Sequence, residues 1–171
     1  MTGVQTCALP ILIELIVVVA IIGLLLSVVL SKLGDSRAKA NNTAIISNLT
    51  QIKNVAGLQY ENMKGCYSKT GITCSATLAY GPASCEPAIN NIFAETKIAE
   101  FIASAKNSGG TYTSCASTPG GRDYAIVVQY RSDSTKGWCV DSSGKSKEVT
   151  ISANTQDGLN LEVTTLGTCA E

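Results

Sequence analysis

Leu12 to Leu30, LIELIVVVAIIGLLLSVVL, is the stretch from which the fold is read. Its nineteen residues carry one charge, Glu14, and no Lys, Arg, Asp or Pro. At about 1.5 Å per residue a helix of this length covers roughly 28 Å, close to the roughly 30 Å hydrocarbon thickness of a bilayer. A buried core helix keeps a polar stripe, whereas Leu15 to Leu26 is apolar all round, so the segment reads as a transmembrane helix. The carboxylate is the second signal. Deep in a bilayer it costs on the order of 2.5 to 3.5 kcal/mol, so a membrane glutamate normally has a partner or a task. Glu14 lies near the N-terminal edge, where snorkelling to water is the simpler alternative.

The neighbourhood of Glu14 favours a partner. Leu12-Ile13-Glu14-Leu15-Ile16-Val17-Val18-Val19-Ala20-Ile21-Ile22-Gly23-Leu24-Leu25 resembles the N-terminal methylation motif of type IV pilins and pseudopilins. The resemblance runs almost ungapped from Leu12 to about Tyr60 and is architectural beyond it. It implies an α+β, pilin-like fold: a long N-terminal hydrophobic spine helix packed on a small antiparallel β-sheet head stapled by disulfides. It also implies a structural subunit of a helical surface filament for adhesion, motility or DNA uptake. Leu12, Ile13, Glu14 and Leu15 would lie at the assembly surface, with Glu14 neutralising the amino-terminal ammonium of an adjacent subunit. The implied partners are other copies of the chain, the membrane before assembly, prepilin peptidase and the pilus assembly machinery. The implied location is a single pass of the inner membrane, then the extracellular filament. Two alternatives share the spine: a pseudopilin of a type II secretion-like machine, and a bitopic anchor with a binding head.

Met1 to Ile11, MTGVQTCALPI, has no Lys or Arg ahead of the apolar run, unlike a secretory or prepilin leader. Leu9, Pro10 and Ile11 stand where the motif has its cleavage-point glycine, then usually phenylalanine and threonine. The segment resembles the in-frame translation of a sequencing-adapter end. On that reading Cys7 has no natural role; the alternative is a divergent N-terminus. The expected organisation is then 1–11 as atypical leader or artefact, 12–30 as membrane or filament-core helix, 31–60 as amphipathic spine and 61–171 as head.

The chain has 13 basic and 13 acidic residues and no histidine. No global basic field steers it to nucleic acid, and the commonest general base and metal ligand at neutral pH is missing. Six of the seven cysteines, Cys66, Cys74, Cys85, Cys115, Cys139 and Cys169, follow the apolar stretch. With no C-x-x-C and no His, they read as disulfides of an oxidising compartment rather than a zinc site. Six cysteines allow 15 connectivities. Cys139 with Cys169 is the favoured pair, since it ties the tail to a central strand.

After Ser31 the chain turns polar at Lys32, Asp35, Arg37 and Lys39. Cations here favour a cytoplasmic location for this end, the cysteines an external one, so the orientation stays open. Ile45, Leu49, Ile52, Ala56 and Tyr60 then recur at helical spacing. One helix is expected to reach about Tyr60, with Gly23 and Gly34 as its weak points. Glu61 to Pro87 reads as a stapled loop, Ala88 to Ala105 as an amphipathic helix, and Lys106 to Gly121 as a breaker-rich loop. Arg122 to Arg131 is expected as a central strand, Lys136 to Asp141 as a second, Lys145 to Ile151 as a polar edge strand, and Asn160 to Leu166 as a fourth. Short connections make the order antiparallel.

Enzyme motifs are missing: there is no G-x-S-x-G, P-loop, G-x-G-x-x-G after a strand, or H-E-x-x-H, and a Cys nucleophile lacks a His base. A non-enzymatic role without cofactor or metal is expected. Asp133, Asp141, Asp157 and Asn154 suggest calcium only weakly, lacking a dense alternating ligand pattern. DNA is a minor alternative partner: Arg131, Lys136, Lys145 and Lys147, with Tyr130 and Trp138, would form a small basic face interleaved with aromatics. Edge-strand lysines are the commoner explanation.

Overall fold

A computed structural model describes residues 8–75, 78–86, 90–163 and 167–170, with side chains from residue 12 onward. The chain divides into two compact units, Met1–Ala38 and Lys39–Glu171. Helix α1 (Ala8–Asn62) supplies the first and opens the second. Neither Gly23 nor Gly34 interrupts it. Within the apolar stretch the Ser27 and Ser31 hydroxyls donate to the carbonyls of Leu24 (2.7 Å) and Val28 (2.8 Å). Both hydroxyls are thereby satisfied by their own helix, as an apolar surrounding would require.

In the second unit the helix is amphipathic. Ile45, Leu49, Ile52 and Ala56 are fully buried, at steps of four, three and four. The stripe continues to Gln59 rather than to Tyr60, because the next step is three. Gln59 Nε2 donates to the Ser68 carbonyl (3.1 Å) and to Thr70 Oγ1 (3.0 Å), so the buried amide closes the stripe without an unpaired polar group. The helix ends where Lys64 (φ 58°) and Gly65 (φ 98°) turn left-handed and the Gly65 N–H donates to the Tyr60 carbonyl at 2.9 Å.

Five strands follow as an antiparallel meander: β1 (Tyr80–Ala83), β2 (Thr113–Ser117), β3 (Tyr124–Gln129), β4 (Lys136–Asp141) and β5 (Ser146–Thr150), in that spatial order. With α1 they make the α+β arrangement expected of a pilin-like chain. Cys115, Ile126 and Val140 are register partners on one face, with Tyr124, Val128 and Tyr130. That face packs on Ile45, Leu49, Ile52 and Ala56 of α1 and on Ile98, Ile102 and Ala105 of α2 (Thr96–Ser108). The opposite face presents Ala116, Ala125, Val127, Cys139 and Val149, covered by Ile151, Leu159 of α3 (Gln156–Asn160), Val163 and Cys169. Because both faces are covered, every residue of β2 and β3 is buried.

The central position of β3, the bounds of β4 and the edge position of β5 agree with the sequence reading. Four other expectations need correction. Lys106 to Gly121 is not simply a loop: it contains β2, an interior strand whose Ser and Thr content imitates a turn. Two of its buried hydroxyls are satisfied, Ser114 donating to Asn160 Oδ1 (2.6 Å) and Ser117 to the Leu78 carbonyl (2.7 Å), while Thr113 Oγ1 is buried without a partner among the described residues. The stapled loop contains β1, which tolerates Pro82 because it is an edge strand with an irregular register. Helix α2 starts at Thr96, not near Ala88. Asn91 Oδ1 accepts from the Phe93 N–H (3.1 Å) and caps a 3-10 turn (Ile92–Ala94), after which Glu95 is extended; Ala88 and Ile89 lie outside the described residues. The fourth strand expected at Asn160 to Leu166 is replaced by the end of α3 and an isolated bridge between Val163 and Cys169, residues 164–166 lying outside the described residues.

Candidate functional site

Fifteen large aliphatic side chains between Leu12 and Leu30 are exposed, from 47% at Val18 to 71% at Leu24. At roughly 25 cal/mol per Å² this surface costs on the order of 35 to 40 kcal/mol if left in water. A patch of this kind marks a surface that something apolar covers. Leu12, Ile13, Glu14 and Leu15 are all exposed, and no Lys or Arg pairs with Glu14 among the described residues. Cys7 lies outside the described residues, as do all of 1–7.

The six remaining cysteines form three disulfides, Cys66–Cys74, Cys85–Cys115 and Cys139–Cys169. Each has a separate task. Cys85–Cys115 lies in the core between the sheet and the helices, joining the β1 region to β2. Cys139–Cys169 lies on the other face and ties the tail to β4, the pairing expected from the sequence. Cys66–Cys74 closes the loop beyond α1, whose Thr70 N–H and Oγ1 both donate to Glu95 Oε2, at 2.9 and 2.8 Å. These hydrogen bonds, led by that from the backbone N–H, hold the Glu95 carboxyl below its ordinary value.

Three of the four residues considered for calcium are engaged by the chain itself. Asp133 Oδ1 accepts from the Thr135 N–H and hydroxyl, and Asn154 Oδ1 accepts from Gln129 Nε2. Asp157 stands in the first turn of α3. Asp141 is fully buried at the β4–β5 turn. Its Oδ1 accepts from Ser143 Oγ (2.6 Å) and the Lys145 N–H (3.1 Å), while Oδ2 accepts from the Cys169 N–H (3.0 Å). It therefore fastens the turn to the disulfide-linked tail, a role composition did not reveal. No metal-holding group of three or more His, Cys, Asp or Glu occurs among the described residues.

The basic residues weighed for DNA are not brought onto one face. Lys136 shares a face with Trp138 and pairs with Glu148 at 3.0 Å. Lys147 is the register partner of Cys139 on the opposite face, where burial pushes the Glu162 carboxyl up and Lys147 opposes that shift. Arg131 is spent on the chain itself, donating from Nε to the Gly109 carbonyl (2.9 Å) and from Nη2 to that of Asn107 (3.1 Å). Lys145 is exposed in the β4–β5 turn, and Tyr130 is buried, its phenol pushed up to about 12 by burial and then by Glu148.

The class so defined is a chain with, among the described residues, one helix long and apolar enough to cross a membrane and a disulfide-stapled α+β unit. No family model, no curated protein and no solved structure matches it.

Proposed function

We propose that this chain is a structural subunit of a type IV pilus-like filament, stored in a membrane through Leu12 to Leu30 and assembled by packing that helix against copies of itself. The observation that carries the reading is the exposed apolar helix with one carboxylate near its start. Lipid covers such a surface in the membrane; helix-on-helix contact covers it in a filament. Glu14 supplies what uniform hydrophobicity lacks, a defined register. A carboxylate enclosed without a cation costs several kcal/mol, so subunits settle where Glu14 meets an ammonium, that of a neighbour's N-terminus by family resemblance. The three disulfides suit a head exposed to an oxidising exterior.

The test is expression of the chain behind a basic leader ending in glycine, with prepilin peptidase and an assembly apparatus, followed by electron microscopy of sheared cell-surface material. Long surface fibres containing the chain are expected. Short periplasmic filaments would assign it to a secretion machine instead. Lipid-embedded monomers beside a working apparatus would leave only the bitopic anchor and end the proposal.

A further inference from the structure

Beyond the end of α1 lies an open polar cleft of about 440 Å³, lined by Lys64, Gly65, Cys74, Ser75, Gly120 and Arg122. Both cationic side chains are exposed. Neither has a hydrogen-bond or ion-pair partner among the described residues, although Lys97, Lys106 and Lys136 each find a carboxylate. The nearest acid in sequence to Arg122 is engaged elsewhere, Asp123 Oδ1 accepting from Ser142 Oγ at 3.1 Å. The cleft is also preformed. One wall is closed by Cys66–Cys74, and the two walls are joined by the Gly120 N–H donating to the Ser75 carbonyl (3.1 Å) and the Tyr67 N–H to that of Gly121 (2.6 Å).

The backbone lining the cleft is fixed by the chain's own turns. Lys64 holds a left-handed conformation (φ 58°), which glycine or asparagine would adopt more readily. Gly120 is also left-handed (φ 81°) and leaves open space where a side chain would stand.

We infer that this cleft is a binding site for a phosphate or sulfate group, Lys64 acting as a point charge and Arg122 as a two-pronged donor. A tetrahedral oxyanion presents oxygens in several directions and so bridges cations held by two different segments. The cleft has room beyond one oxyanion, which points to an ester on a larger molecule. The site belongs entirely to the second unit and stands or falls independently of filament assembly.

The experiment is amide-shift titration of the full chain in neutral detergent micelles with inorganic phosphate, with sulfate, and with chloride at matched ionic strength. Saturable displacement of the Gly65 and Gly120 amides by phosphate or sulfate, and not by chloride, is expected. Lys64→Gly, which suits the left-handed backbone and so preserves the fold, and Arg122→Gln should each weaken that binding at least tenfold. A linear drift equal to that with chloride would overturn the site, leaving Lys64 as a charge at the helix C-terminus and Arg122 as a solvated cation. So would variants that bind within twofold of the parent chain.

Discussion

Residues 12–30 and 45–59 belong to the same helix, yet their side chains meet opposite fates. Leu15 and Leu24 are 64% and 71% exposed, whereas Ile45, Leu49 and Ile52 are 0% exposed. The difference follows from pattern rather than from hydrophobicity, since the first segment is the more apolar. Its side chains are greasy on all sides, and one small sheet can cover only one stripe of a helix. The second segment alternates an apolar stripe with polar faces, and those faces bind too: Lys53 Nζ donates to the Gly144 carbonyl (3.1 Å) and Asn48 Nδ2 to Ser104 Oγ (3.2 Å). One helix thus holds a surface finished by its own chain and another that something outside must finish.

Removing a side chain on each side of this divide tests it most strongly. Leu49→Ala should destabilise the folded head by about 2 to 5 kcal/mol in denaturant titrations in micelles, through lost burial and a residual cavity. Leu24→Ala should leave the same transition unchanged. Equal effects would mean that the two segments form one cooperative unit.

The disulfides come next. Cys139 and Cys169 are 30 residues apart and Cys66 and Cys74 only 8. Chain entropy then predicts losses of about 3.5 and about 2.5 kcal/mol for the double serine variants. The first variant should also release the C-terminal cover of the sheet, seen as faster hydrogen exchange in β4. Asp141→Asn sharpens the same point, because an amide nitrogen in place of one carboxylate oxygen would face N–H or O–H donors. We expect about 1 to 3 kcal/mol by thermal unfolding.

The smallest effect is one of pH. Glu95 has its carboxyl lowered in the folded chain from an ordinary 4.5, so its contribution is complete above that value and is lost as pH falls through the lowered one. Acidification should loosen the loop closed by Cys66–Cys74 slightly, measured as amide exchange near Thr70. Thr70→Val should reduce that response and leave the remaining acid sensitivity in place.

Much of this architecture was legible because it rests on strong periodic signals. The apolar run, the Ile45 to Ala56 stripe and the β-branched strand β3 announce themselves by spacing and residue type. Strand β2 was hidden because Ser and Thr serve turns and buried strands alike, and only the partners Asn160 and Leu78 decide between them. Its faint signal was Thr111-Tyr112-Thr113 beside Cys115. Helix α2 was misplaced at its start because the cap at Asn91 diverts the chain into a 3-10 turn first. Among the site residues, Glu14 and the cysteines were legible from their types. The separation of Lys136 from Lys147 was latent in their odd spacing along paired strands, and the cleft between Lys64 and Arg122 depends on a loop crossing that no local pattern encodes.

The most direct measurement is the filament yield of Glu14→Ala, restored behind a cleavable leader and supplied with assembly machinery, against its yield in membrane fractions. Normal membrane insertion with few or no filaments is predicted, because the helix keeps its apolar surface and loses only its register. Filament yield equal to that of the unaltered chain would contradict the account.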